Sequence, residues 1–395
     1  MTTASTPHPS RRRLLMASTL APVLSPALAA ASQTSPSAPG GSRQPGVASK
    51  PDAQRMRIAF GSCARQEKPQ PIWATIAATQ PDLFVFLGDN FYADARDEAT
   101  LRKRYDEFEA VETLQAFRRA TPHVAMWDDH DFGDDDVGGD YPLKDLSQRL
   151  FCDAWQEGPD SPRRRRSGVY ESYRFESGGH TVQLILMDLR FNRTALVADP
   201  ALRTGYDTML REAKLSGKPM KGWYVANPSP EASMLGEEQW AWLEQQLREP
   251  ADVRLIGSSV QFAADGSGWE GWANFPRERQ RLVDLIRSTR AEGVVILSGD
   301  MHYAEFSRWE APQGYPLWDI TSSGLTEVWA IPTPNSKRAS AVLAEANFGL
   351  IDIQWPSKDQ AGPPDAQIQM SIIDVKGVTR LSHNLTLNQL RFPIA

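Results

Sequence analysis

The chain has 395 residues, 41% of them hydrophobic, which excludes a largely disordered polymer and leaves enough apolar material for a sizeable core. Lysine and arginine number 43 against 49 aspartates and glutamates, a net charge of −6, so the balance disfavours a nucleic-acid or anionic-membrane binder, whose affinity comes from basic patches. Cys63 and Cys152 are the only two cysteines, and no disulfide framework is implied.

Residues 10–16 read Ser-Arg-Arg-Arg-Leu-Leu-Met. Adjacent arginines ahead of an apolar run resemble a Tat signal. The run from Leu14 to Ala31 is broken by Pro22 and Pro26 and ends in small residues at Ala27–Ala31, a cleavage pattern too short and interrupted for a membrane span. Residues 1–31 are therefore expected to be a Tat signal peptide, with the Tat export machinery as a partner and a periplasmic or secreted destination. Residues 32–56, rich in Ser, Pro, Gly and Gln, read as a flexible linker. Residues 1–31 hold three arginines and no acid, so their loss leaves 40 basic residues against 49 and a net charge of −9. No later segment is apolar for long enough to cross a bilayer.

From residue 57 short apolar runs alternate with helical stretches. Run 57–60 leads into Gly61-Ser62-Cys63, and Pro71 suits the start of a helix over 71–79. Run 83–87 leads into Gly88-Asp89-Asn90-Phe91-Tyr92, followed by charged, helix-favouring sequence over 97–119. Run 123–127 leads into Asp128-Asp129-His130-Asp131, and a helix is predicted over 142–156. Strands are predicted at 168–175 and 180–188, then a long irregular stretch from Arg190 to Met234, long enough to be a functional lid. A helix over 236–248, a strand at 253–257 ending in Ser258-Ser259-Val260-Gln261, and a helix over 276–290 follow. Run 294–297 leads into Ser298-Gly299-Asp300-Met301-His302, and short strands fill much of the remainder. Nearly continuous apolar runs separated by helices predict strands buried on both faces in a partly parallel α/β sheet. Ligands gather outside the carboxyl ends of such strands, where each polar cluster falls. No composition break divides 57–395, which is predicted to be one catalytic domain.

A lone Asp after a strand reads as a cap or turn residue. As a set, Asp89, Asp129, Asp300, His302, Cys63 and Tyr92 offer carboxylate, imidazole, thiolate and phenolate donors. Carboxylates brought together resist ionisation unless a cation neutralises them, so the set points to metal. Cys152, in an amphipathic helix, reads as core, and the arginines at 163–166 as a solvated loop. Only His130 and His302 lie in Asp-containing motifs, which disfavours a His-rich zinc site.

Gly88-Asp89-x-x-Tyr92, Asp128-Asp129-His130-Asp131 and Gly299-Asp300-x-His302 follow the order of metallophosphoesterase motifs, with Gly61-Ser62-Cys63 in place of the usual Asp-x-His. Together with Trp-Asp-Asp-His-Asp-Phe-Gly at 127–133, Trp-Ala-Asn-Phe-Pro at 272–276 and Asp188-x-Arg190, they resemble the PhoD-type alkaline phosphatases and phosphodiesterases, a Tat-exported family. Phe132 and Asp135 depart from the residues usual in that family. The resemblance implies a four-layer α/β/β/α metallophosphoesterase sandwich, two mixed sheets flanked by helices. It implies one metal, ferric iron, on Cys63, Asp89, Tyr92 and His302. It implies a second, calcium, on Asp89, Asp129 and Asp300, with Gln261 or a nearby Ser completing the site.

A pair of metals can lower the pKa of a bridging water and aim it in line at phosphorus. His130 is then the expected general acid for the leaving alkoxide of a phosphate ester, oriented by Asp131 or Asp128, and Arg190 the candidate phosphate clamp. Two other readings stay open: a non-catalytic calcium-binding exported protein on the same fold, and a carbohydrate- or lipid-binding module suggested by the 12 tryptophans.

Overall fold

A computed structural model describes residues 54–202, 205–356 and 365–393. The expected signal peptide and residues 32–53 of the linker lie outside these residues. In chain order the larger elements are β1 (Arg55–Gly61), α1 (Ile72–Ala78), β2 (Leu83–Leu87), α2 (Glu98–Glu109), α3 (Glu112–Ala120), β3 (His123–Met126), α4 (Asp129–Phe132) and α5 (Lys144–Ala154). Next come β4 (Glu171–Ser177), β5 (His180–Leu186), β6 (Val197–Ala198), α6 (Tyr206–Ser216), β7 (Tyr224–Val225), α7 (Glu237–Arg248), β8 (Val253–Ser258) and α8 (Pro276–Ser288). The chain closes through β9 (Val294–Ser298), β10 (Ala304–Trp309), β11 (Leu317–Ser322), β12 (Asn347–Gln354), β13 (Gln367–Asp374) and β14 (Thr379–Thr386).

Among the described residues twelve of the strands form two six-stranded sheets, ordered β14-β13-β12-β1-β2-β3 and β10-β11-β9-β8-β5-β4, and β6 and β7 form a two-stranded ribbon. Both six-stranded sheets are mixed. The β1-β2-β3 and β5-β8-β9-β11 neighbours run parallel, while β12, β13 and β14 form an antiparallel meander. Period-two alternation sorts the side chains of each strand between two faces. In β2, Leu83, Val85 and Leu87 join Leu184, Leu255 and Val295 of the other sheet in one core. Phe84 and Phe86 face the other way, into a second core with Trp73, Phe108, Phe117 and Phe151 of the helices. Helices α7 and α8 cover the outer side of the second sheet through Trp240, Leu243, Leu282 and Ile286. The result is the expected α/β/β/α order of layers.

Three local features depart from expectation. The single helix predicted over 97–119 is two: Val111 is extended at ψ 96°, which redirects α3 so that Phe117 stacks on Trp73 at 5.1 Å. The stretch after Arg190 contains the β6–β7 ribbon and α6. Within the Arg163–Arg166 run, Arg163 is buried rather than solvated, pairing with Glu157 at 3.0 Å and donating to the Ala125 carbonyl at 2.9 Å. Cys152 is core, as expected. Among the described residues no helix is long and apolar enough to cross a membrane.

Candidate metal centre

The polar clusters converge at one end of the two sheets. Cys63 follows β1, Asp89 and Tyr92 follow β2, Asp129 and His130 follow β3, Arg190 follows β5, and Asp300 and His302 follow β9. The chain turns sharply at each exit. Gly88 has φ +100°, and a Cβ there would meet Asp128 at 2.6 Å, so only glycine lets the two loops touch. Cys63, Asp89, Asp300 and His302 themselves adopt positive φ of 65°, 49°, 71° and 56°. Such conformations cost about 1–3 kcal/mol each and collect where a site demands them.

The Cys63 sulfur lies 3.4 Å from Asp89 Oδ2 and 3.2 Å from Ser323 Oγ. The Tyr92 hydroxyl lies 2.9 Å from His302 Nε2, and the His302 backbone N–H donates to Ser323 Oγ at 2.7 Å. Cys63, Asp89 and His302 present donor atoms within 4.8 Å of one another. The same holds for Asp89, Asp129 and His130, for Asp128, Asp129 and Asp300, and for Asp129, Asp135 and Asp136. Asp89 and Asp129 thus each belong to more than one donor group.

Two charges from the protein hold the acidic loops together. Arg190 is fully buried, with Nη2 at 2.5 Å from Asp128, 3.2 Å from Asp129 and 2.6 Å from Glu270. Arg193 adds a contact to Glu270 at 3.0 Å and donates to the Asp136 carbonyl at 2.6 Å. Neither cation reaches every carboxylate. Asp128 Oδ2 is buried without a hydrogen-bond partner, and Asp129 Oδ1 has its 3.2 Å ion-pair contact with Arg190 but no hydrogen bond. Burial, reinforced by neighbouring carboxylates, pushes the acids of Asp89 and Asp300 well above the usual carboxylate range. Burial works against ionisation at Asp129 too, but Arg190, His130 and the Asp136 backbone N–H outweigh it and hold that group down at about 2. Buried acids pressed together, whose ionisation burial and like charge both oppose, are what a cation relieves. The donor set therefore fits metal ions.

Some expected roles fall elsewhere. Asp131 was expected to orient His130. Its carboxylate instead accepts from the backbone N–H groups of Asp89 and Asp128 at 3.1 and 2.6 Å and from Asn90 Nδ2 at 2.5 Å, pinning two loops to each other. Asp128, the other expected orienter, pairs with Arg190. The partner of His130 Nδ1 is Asp94, two residues past Tyr92 and without any motif to mark it. Arg190, the expected phosphate clamp, is occupied by carboxylates. Gln261 donates to Glu305 and Thr321, both at 2.9 Å, in a buried network that does not include the metal donors. Glu270 and Ser323 went unnoticed in the sequence. The one signal for Glu270 is its position two residues before the Trp-Ala-Asn-Phe-Pro string.

The donors open on a cleft of about 170 Å³, lined by Asp89, Asp129, His130, Glu270, Asp300 and His302 on one side. Tyr206 and Trp223, from the stretch expected to be a lid, line the same cleft. Burial by itself would lower the His130 imidazole, but Asp129, Asp89 and Asp94 together hold it well above its ordinary value. His302 is driven down to about 3 by burial, with His130 and Arg65 adding to the effect, so it is a neutral donor.

Against known proteins, the chain is 24% identical over 280 residues to alkaline phosphatase D of Bacillus subtilis (strain 168). That match covers 63% of this chain and 46% of the relative, so the chain spans about half the relative's length. The solved structure of PhoD superposes with a TM-score of 0.56 at 17% identity, covering 84% of this chain and 71% of that one. GAP50, the anchor in the inner membrane complex of Plasmodium, superposes with a TM-score of 0.50 at 13% identity, covering 84% of this chain and 89% of that one. At these identities the two likenesses concern the fold alone. The sequence pattern of the PhoD-like phosphatases matches residues 58–368, well over half of the chain. The chain belongs to the PhoD-like phosphatase family.

Proposed function

We propose that this protein is an exported, metal-dependent phosphoester hydrolase, an alkaline phosphatase/phosphodiesterase. The observation that carries the reading is the run of overlapping donor groups beside one cleft: Cys63, Asp89 and His302 lie within 4.8 Å of one another, as do Asp89, Asp129 and His130, and Asp128, Asp129 and Asp300, with His130 at the edge of the cleft. Cys63, Asp89, Tyr92 and His302 would hold one ion, and thiolate and phenolate donors suit ferric iron. Asp89, Asp129 and Asp300 would hold another, and an all-carboxylate set suits calcium. Ions so held supply an activated water and screen the charge of the phosphate oxygens.

The chain's own residues supply proton transfer and positioning. His130, with Nδ1 fixed on Asp94, keeps Nε2 for the leaving oxygen. Asp131 acts as a positioning residue through the backbones of Asp89 and Asp128, and Arg190 as a positioning residue through Asp128, Asp129 and Glu270. A phosphate ester is the substrate class, and residues 1–31 carry the export signal.

The direct test is hydrolysis of bis-p-nitrophenyl phosphate by the purified protein, with metal analysis of the same sample. Turnover with stoichiometric iron and calcium is expected, with visible absorption from the Tyr92 phenolate on ferric iron. Metal without turnover would return the protein to the calcium-binding reading. A colourless, active protein holding zinc or manganese would end the iron assignment alone. His130→Ala is expected to lower turnover of esters with poor leaving groups about a hundredfold, with metal content near normal. For export, replacing Arg11, Arg12 and Arg13 with lysine is expected to retain the protein in the cytoplasm; unchanged export would remove the Tat assignment.

A further inference from the structure

The cleft has a second wall that the metal chemistry does not use. Tyr206, Trp223, Trp269 and Trp329 line it beside the donors. Their rings touch in series: Trp223 to Trp269 at 4.8 Å, Trp269 to Trp329 at 5.3 Å, and Tyr206 to Trp269 and Trp329 at 6.2 and 5.9 Å. The planes meet at 40° to 66°, so the rings make an angled corner rather than one stack. Edge-to-face contact of this kind holds aromatic side chains in place.

Three of the rings are also tied to the acidic loops. The Trp329 backbone N–H donates to the His302 carbonyl at 2.8 Å, and its ring meets the His302 ring at 5.2 Å. Trp269 precedes Glu270, the partner of Arg190, and its indole N–H donates to the Met220 carbonyl at 3.2 Å. Trp223 precedes Tyr224, whose hydroxyl donates to Asp136 Oδ2 at 2.6 Å. Gly222 and Gly268 bring these two segments together. A Cβ on either would lie 2.3 or 2.4 Å from the other's carbonyl oxygen, so the backbones touch only because neither has a side chain. Trp223 and Trp329 are nevertheless part-exposed. Rings fixed against one another, yet left open to a cleft, mark a ligand surface more than a core.

A bare phosphate offers nothing for such a wall to bind. We propose that these four rings seat the organic group of the phosphoester and favour aromatic or similarly flat, apolar alcohols over short alkyl ones; the inference rests on the hydrolase reading above. The cleft of about 170 Å³ has room for one ring-sized group beside the phosphate.

The test is binding of two phosphonates to the metal-loaded protein, phenylphosphonate and methylphosphonate, followed by titration calorimetry. The two share a metal-seeking head and differ only in the group offered to the wall. Phenylphosphonate is expected to bind about tenfold more tightly. In Trp223→Leu and Trp329→Leu the ratio is expected to fall toward one, and in Trp329→Phe, which keeps a ring, to stay near the wild-type value. Equal affinities in the wild type, or an undiminished ratio in the leucine variants, would overturn the proposal. The wild-type comparison decides even if a variant fails to fold. A selective protein that hydrolyses no ester would instead count against the hydrolase reading alone.

Discussion

Asp94 stands outside every motif, yet its carboxylate holds Nδ1 of His130. A carboxylate that accepts from one ring N–H favours the doubly protonated imidazolium, which leaves a proton on the other nitrogen to give. In Asp94→Asn that preference is lost while the cleft keeps its shape, so turnover should fall about tenfold or more with no change in metal content. Equal turnover in the variant would remove Asp94 from the mechanism.

Arg190 makes the opposite point. A residue expected to grip substrate is instead buried among Asp128, Asp129 and Glu270. Removing one partner of a buried ionic cluster leaves the others uncompensated, at about 3–5 kcal/mol. Arg190→Gln should therefore lower stability in urea by roughly that amount. A clamp would give a raised KM at unchanged stability, and that result would restore the first expectation. The sequence carried the spacing Asp188-x-Arg190 but not its direction. Asp188 Oδ1 accepts from the Arg190 and Phe191 backbone N–H groups, both at 2.9 Å, and this turn carries Arg190 back to Asp128, among the acids.

Among the elements, the runs at 83–87 and 253–257 become β2 and β8 almost without adjustment, because strands buried on both faces leave a continuous apolar signature. The ribbon of β6 and β7 leaves none: each strand has two residues, too short for any period to register. What fixes the ribbon is long-range, namely Tyr224 N–H to the Gly268 carbonyl at 2.6 Å and Tyr224 hydroxyl to Asp136. Hydrogen bonds to charged groups contribute about 1.5–3 kcal/mol. Tyr224→Phe should therefore speed amide exchange across residues 197–225 while leaving β2 and β8 protected. Uniform exchange across both would show that the hydroxyl does not anchor the ribbon.

At the scale of the whole molecule, the two sheets meet through the apolar core on one side and the donor cluster at one end. Cys63, Asp89 and Asp129 hang from the first sheet, Asp300 and His302 from the second. Strands buried on both faces were legible because apolar runs and helices alternate along the chain, whereas the pairing of two sheets was implied only by the family resemblance. The bracing between them was not, because Glu270, Ser323 and Arg193 come from loops whose meeting depends on the finished fold. An ion shared by donors from both sheets binds the folded chain and not the unfolded one, and so stabilises it in proportion to ln(1 + [M]/Kd). Chelation does more than remove that term. It leaves Asp89, Asp129 and Asp300 facing one another with Arg190, Arg193 and His130 to offset them. Prolonged treatment with a chelator should therefore lower Tm by several degrees, a loss of several kcal/mol, since 1 kcal/mol corresponds to about 2 °C or less in a domain above roughly 250 residues. Calcium restored alone should recover part of the shift, and iron the rest. An unchanged Tm after metal analysis confirms full removal would mean that the sheets hold together without the ions, and that the cluster serves chemistry only.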